Sequence, residues 1–177
     1  MNRVGSFYKV SFEQYMKDYG DTFWDKKDNL TVSEIAEIRK VYDRIKLPKR
    51  ATIGSAGYDF YTPIDVVLEP GETAKIPTGI RAFMENDWVL MMFPRSGLGF
   101  KYRLQLNNTV GIIDSDYFCS DNEGHIFAKI TNDSNEKKTV ILNAGDGFMQ
   151  GIFLQYGITN DDITYGVRNG GFGSTGA

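Results

Sequence analysis

Histidine and cysteine are nearly missing from this chain, which has one of each, His125 and Cys119. A single cysteine excludes an intrachain disulfide and points to a reducing compartment. Together the two leave too few ligands for a zinc deaminase or a His-built metal site. A Ser-His-Asp triad is also disfavoured, because His125 follows Gly124 in a strand-like stretch with no nucleophile close in sequence. His125 reads as structural. No apolar run in MNRVGSFYKVSFEQYM is long enough for a signal peptide or a span, so the expectation is a cytoplasmic chain without membrane contact. Excess basic charge is lacking too. The formal charge is −3, which gives no global field for nucleic acid. No G-x-x-x-x-G-K-[ST] loop and no internal repeat is present.

What remains is ordinary globular composition, 41% hydrophobic and 24% charged over 177 residues, enough for one domain with a real core. Arg3 to Val10 predicts a short first strand. Residues 11–46 then change period. Thr31 to Glu34 has the S/T-x-x-E form of a capping box, and Ile35, Ile38, Tyr42 and Ile45 recur at helical spacing before Pro48. Ser11 to Tyr19 predicts a shorter helix with Gly20 as its stop. Phe12, Tyr15, Tyr19, Phe23 and Trp24 make this segment sticky, either as a helical pair packed on its own domain or as a surface for a protein partner.

From Leu47 onward the pattern is short strands separated by turn residues, which predicts an all-β fold. Strands are expected over Asp65–Leu68, Thr73–Ile76, Gly79–Met84, Trp88–Phe93, Ile126–Thr131, Thr139–Leu142 and Gly147–Gln155. Glu69-Pro-Gly-Glu72 has proline and glycine placed for a type II turn.

Between these strands lies NTVGIIDSDY, residues Asn108 to Tyr117. An apolar strand there delivers Asp114 and Asp116. A carboxylate at the end of a buried strand is held by the sheet, as a general base must be if its distance to a water matters. The same residues also suit a plain strand end capped by a turn. The last segment, residues 166–177, holds five glycines. It is either a frayed tail or an arm that orders over a ligand. Arg168, the Ser174 and Thr175 hydroxyls and flexible N–H donors suit a polyphosphate, and Phe172 offers a stacking face.

Five separated stretches, in order, resemble the homotrimeric dUTP pyrophosphatases (dUTPases), in the variant form of Gram-positive bacteria and their phages. They are Ala56-Gly-Tyr-Asp-Phe60, Pro94-Arg-Ser-Gly-Leu-Gly99, NTVGIIDSDY, Gly145-Asp-Gly-Phe-Met-Gln150, and Arg168 with Gly170-Gly-Phe-Gly-Ser-Thr-Gly176. They span roughly residues 47 to 177. The resemblance implies a distorted jelly-roll β-barrel over residues 1–165, with a small helical insert at about 11–46 and a glycine-rich C-terminal arm at 166–177. It implies hydrolysis of dUTP to dUMP and pyrophosphate, with Mg²⁺ held mainly by the triphosphate and no direct protein ligand. Asp114 would activate the attacking water, and Asp59 would belong to the polar network behind metal and water. Arg95, Ser96, the Gly97 amide and Gln150 would hold phosphates. Asn108 with Gly111, Ile112 and Ile113 would read the uracil edge. Tyr117 would lie under the deoxyribose, leaving no room for a 2′-hydroxyl. Arg168, Phe172, Gly173, Ser174 and Thr175 would close over the nucleotide. Each site would draw on three subunits.

Three features depart from the commonest family pattern. Phe118 to Glu123 intervenes before Gly124, a single residue separates Arg168 from the glycine pair, and the helical segment has no counterpart in short members. Two rivals stand beside the hydrolase. One is a dCTP deaminase-like enzyme, which would need an acid where the strand after NTVGIIDSDY has Lys129. The other is a nucleotide-sensing binding protein, such as a repressor partner, using residues 11–46.

Overall fold

The computed structural model describes residues 2–25, 29–166, Arg168 and Gly170. Its strands are β1 (Gly5–Lys9), β2 (Tyr58–Tyr61), β3 (Val66–Leu68), β4 (Thr73–Pro77), β5 (Ile80–Met84), β6 (Trp88–Pro94), β7 (Leu104–Leu106), β8 (Gly111–Asp114), β9 (Phe127–Asn132), β10 (Val140–Leu142) and β11 (Gly147–Gln155). The helices are α1 (Phe12–Trp24), α2 (Val32–Arg44) and the short α3 (Ser96–Tyr102), and a 3-10 turn covers Ser115–Cys119.

Among the described residues no strand pairs with its neighbour in sequence. The sheets run β1-β5, β3-β10, β2-β11-β6-β8 and β4-β9-β7, and every pairing is antiparallel. The expected turn at Glu69–Glu72 is present, with Gly71 at φ +87° and the Glu72 amide donating to the Glu69 carbonyl at 2.9 Å. It does not close a hairpin, however; it carries the chain from the β3 sheet to the β4 sheet. The turn before Trp88 likewise links the β5 sheet to the β6 sheet. Turn residues in sequence declare where the chain reverses but not which edge receives the next strand. Strands switching sheets at their corners give the all-β, distorted jelly-roll architecture.

Period 2 explains the core. β10 and β3 alternate buried, exposed, buried, and β9 buries Ala128, Ile130 and Asn132. Phe60, Leu90, Phe148 and Met149 fill the middle of the four-stranded sheet with next to no exposure. β2, β7 and α3 are not predicted by the sequence pattern. The first two are short, and Gly97 and Gly99 mask α3.

The helical segment joins this core. Thr31 and Glu34 form the expected capping box, and Ile38, Val41 and Ile45 are buried. Tyr15 and Tyr19 are buried on α1, and Tyr42 packs between Phe12 and Tyr15, with ring centroids 5.5 and 5.6 Å away. Gly20 does not stop α1. The helix continues through it to Trp24, because Phe23 and Trp24 extend the apolar face beside Tyr19. Asp25, left-handed at φ 53°, ends it by donating its amide to the Gly20 carbonyl. A glycine inside a helix costs only about 1 kcal/mol, which one buried aromatic contact offsets. Most of the aromatic surface is thus spent on the chain's own domain, though Phe23 stays 38% exposed.

If the segment is integral to the core, Ile38→Ala will cost about 2–4 kcal/mol in urea unfolding. Val32→Ala, on the solvent side of the same helix, will change stability by less than about 0.5 kcal/mol. Equal, small effects would make the helices an appendage.

Candidate active site

The candidate residues divide between two clefts. The larger, about 550 Å³, is built around β8. Among the described residues β8 is the outer strand of its sheet, paired on one side with β6. Its other edge leaves backbone donors and acceptors in a row, suited to the edge of a planar base. The segment leading into it is tight. Thr109 sits at φ 66°, its amide donates to the Leu106 carbonyl at 2.8 Å, and the Val110 amide donates to the Asn108 carbonyl at 2.7 Å. Gly111 is required by space, since a Cβ there would lie 2.9 Å from the Met92 Cβ. Asn108, Gly111, Ile112 and Ile113 all line this cleft.

Asp114, Tyr117 and Arg168 line it as well. Asp114 is the last residue of β8, paired opposite Val89. The Arg168 guanidinium forms an ion pair with Asp114, and its Nε donates to Asp116 at 2.8 Å. Asp116 is thus a partner of the arm that the motif reading leaves without a role. Tyr117 presents a ring and conceals its hydroxyl, which donates to the His125 carbonyl at 2.8 Å and accepts from the Asn122 amide at 2.8 Å. Burial pushes the Tyr117 pKa up, so the hydroxyl remains a neutral donor. Asn122 has no signal in the sequence beyond lying in the segment that departs from the common motif.

The second cleft, about 380 Å³, gathers Gly57, Asp59, Arg95, Ser96 and Gln150. Gln150 on β11 stands opposite Asp59 on β2 and Phe93 on β6. Arg95 Nε lies 3.3 Å from Asp59, and Nη1 donates to the Gly147 carbonyl at 3.2 Å. Gly57 admits the Gln150 side chain, since a Cβ there would come within 2.5 Å of Gln150 Oε1. Ser96 and Gly97 open α3, where first-turn amides lack helical acceptors. Phe172, Gly173, Ser174 and Thr175 lie outside the described residues.

The register keeps the two carboxylates apart. Asp59 and Asp114 stand on the two outer strands of one four-stranded sheet, in rows that cross β6 at Phe93 and Val89. Strand spacing and rise then put about 14 Å between them across the sheet and about 13 Å along it, or about 20 Å overall. One chain does not bring its two clefts together.

A family model described as dUTPase matches residues 43–176. The deoxyuridine 5′-triphosphate nucleotidohydrolase of Lactococcus lactis is 43% identical over 136 residues, covering 75% of this chain and 89% of the relative. That of Laribacter hongkongensis is 39% identical over 137 residues, covering 73% and 87%. Among solved structures, the dUTPase from Streptococcus mutans superposes with a TM-score of 0.58 at 39% identity, covering 67% of this chain and 91% of that one. A dUTPase from phage phi11 of Staphylococcus aureus, with a species-specific insert, shares the fold at 24% identity and a TM-score of 0.56, covering 70% and 92%. The family match begins at residue 43, so α1 and almost all of α2 precede it. With its motif residues distributed over these two clefts and its sequence matched along three quarters of its length, the chain belongs to the dUTPase family.

Proposed function

We propose that this chain hydrolyses dUTP to dUMP and pyrophosphate, with Asp114 as the general base. The observation that carries this reading is the position of Asp114: a sheet-anchored carboxylate at the end of an open-edged strand, in the same cleft as Asn108 and the Tyr117 ring. The Asp114 carboxylate takes a proton from water as the oxygen attacks the α-phosphorus. The bond to the bridging oxygen then breaks, and pyrophosphate leaves with the electron pair. Catalysis at phosphorus needs chiefly positioning and charge neutralisation, which Arg95, Ser96 and the Gly97 amide supply along the phosphate chain with Gln150. Arg168 pairs with Asp114, and a phosphate of the nucleotide would compete for the same guanidinium.

The uracil edge meets Asn108 and the backbone of β8, where cytosine would leave buried polar groups unpaired. Tyr117, held flat by its bonds to His125 and Asn122, closes the space a 2′-hydroxyl would need. At the position on β9 where a deaminase would need an acid, the chain carries Lys129, which lines this cleft.

Among the described residues no group of three or more His, Cys, Asp or Glu side chains could hold a metal. Mg²⁺ arriving on the triphosphate would be reached through water by Asp59, which lines the second cleft beside Arg95. Bound in this way, the ion would neutralise charge on the phosphate oxygens. No helix of the described residues is long and apolar enough to cross a membrane, and a cytoplasmic location accords with one unpaired cysteine.

The separation of about 20 Å supports a site shared between copies of the chain, in a homotrimer. Asp114 and the base cleft come from one subunit, Arg95 and Asp59 from a neighbour, and the arm closes over both.

Asp114→Asn will lower pyrophosphate release from dUTP by at least about a hundredfold, while dUTP binding measured by calorimetry persists. Retained turnover would remove Asp114 from the role of base. Arg95→Ala and Asp114→Asn, each inactive alone, will regain about a quarter of wild-type activity when unfolded and reassembled as an equal mixture. An inactive mixture of folded oligomers would place both residues in one subunit's site.

A further inference from the structure

The helical segment that precedes the family match meets the loop after Tyr117. Ser11, at the head of α1, donates its backbone amide and its hydroxyl to Glu123 at 2.7 and 2.6 Å. Asp18, on the same helix, meets the His125 ring at Nδ1, 2.5 Å away. His125 is fully buried, and its Nε2 accepts the Gly79 amide at 2.8 Å. That bond fixes the tautomer: the ring proton sits on Nδ1 and is donated to Asp18. The carbonyl of this same histidine receives the Tyr117 hydroxyl.

The loop between them has little freedom of its own. Glu123 and Gly124 both have positive φ, and a Cβ on Gly124 would lie 2.6 Å from the Tyr117 carbonyl oxygen. Asn122 bonds the Tyr117 hydroxyl from one end of its amide and accepts the Gly124 amide at the other. Arg81 holds the near side, donating to the Phe118 carbonyl at 2.5 Å and lying 3.6 Å from Glu123. Gln14 donates to Asp18 at 2.8 Å and orients the carboxylate from within α1.

We propose that the insert is a positioning element for Tyr117. Asp18, acting through His125, and Ser11, acting through Glu123, hold the loop that anchors the tyrosine ring against the sugar. The insert thereby sharpens the choice of deoxyribose over ribose. This rests on the assignment of Tyr117 to the sugar made above. Asp18 touches no substrate; its effect passes through the histidine carbonyl and the tyrosine hydroxyl.

The test compares the full-length chain with Asp18→Ala, Asp18→Asn, Tyr117→Phe and the Asp18→Ala/Tyr117→Phe double variant. Pyrophosphate release gives kcat and KM for dUTP and UTP, and hydrogen exchange reports on residues 115–125. Asp18→Ala will lower the dUTP-to-UTP ratio of kcat/KM by about tenfold, the loss of one hydrogen bond to a charged group. The change will fall on KM, and exchange across 115–125 will rise. Asp18→Asn keeps an oxygen to accept the Nδ1 proton and will restore most of the ratio. In the Tyr117→Phe background, Asp18→Ala will change the ratio little further, as expected for two residues on one path. A lower melting temperature with an unchanged ratio and unchanged exchange would reduce the insert to a buttress and overturn the proposal, as would fully additive effects. Wild-type protein that fails to hydrolyse dUTP would defeat the proposed function instead. The exchange comparison would then decide whether α1 holds the Tyr117 loop.

Discussion

The antiparallel pairing of β11 with β2 on one side and β6 on the other is the constraint on which the molecule depends. It aligns Gln150, Asp59 and Phe93 in one row, and through β6 it sets where β8 ends and Asp114 stands. Both clefts therefore inherit their geometry from one ladder of backbone hydrogen bonds. Side chains at such positions keep their orientation because period-2 alternation gives each a fixed face. The arrangement keeps the Asp114 cleft and the Arg95 cleft apart within one chain.

The helical insert shows how an added segment becomes part of an existing β core. Its apolar face is narrow, and it is covered: Ile38 and Tyr15 have no exposure. The polar contacts at its edge then reach the loop after Tyr117. Two segments remote in sequence are joined at Ser11–Glu123 and Asp18–His125. Here the insert packs on its own domain.

Much of this was legible in the sequence, for identifiable reasons. Thr31 and Glu34 announced α2 because a capping box is a local device, complete within four residues. β11 was read over its full length because nine residues bounded by turn signals leave little alternative. The candidate residues on β8, β2 and β11 were named by motif resemblance, and the structure places them in two clefts. The pairing of strands was not legible. It depends on which sheet a corner turn delivers the chain to, and Glu69–Glu72 reads the same for a hairpin as for a crossover. The Asp18–His125 contact was also out of reach, because it joins residues 107 positions apart in sequence and His125 alone reads as core.

Thr109 has a consequence for ligand affinity. A β-branched residue at φ 66° is strained by about 1–2 kcal/mol, a conformation that glycine would adopt freely. Here the turn ahead of β8 is held in that shape by the Leu106 and Asn108 carbonyls. The entropy of ordering that turn is thus lost during folding. Under the proposed function, a nucleobase would then spend none of its binding free energy on arranging it.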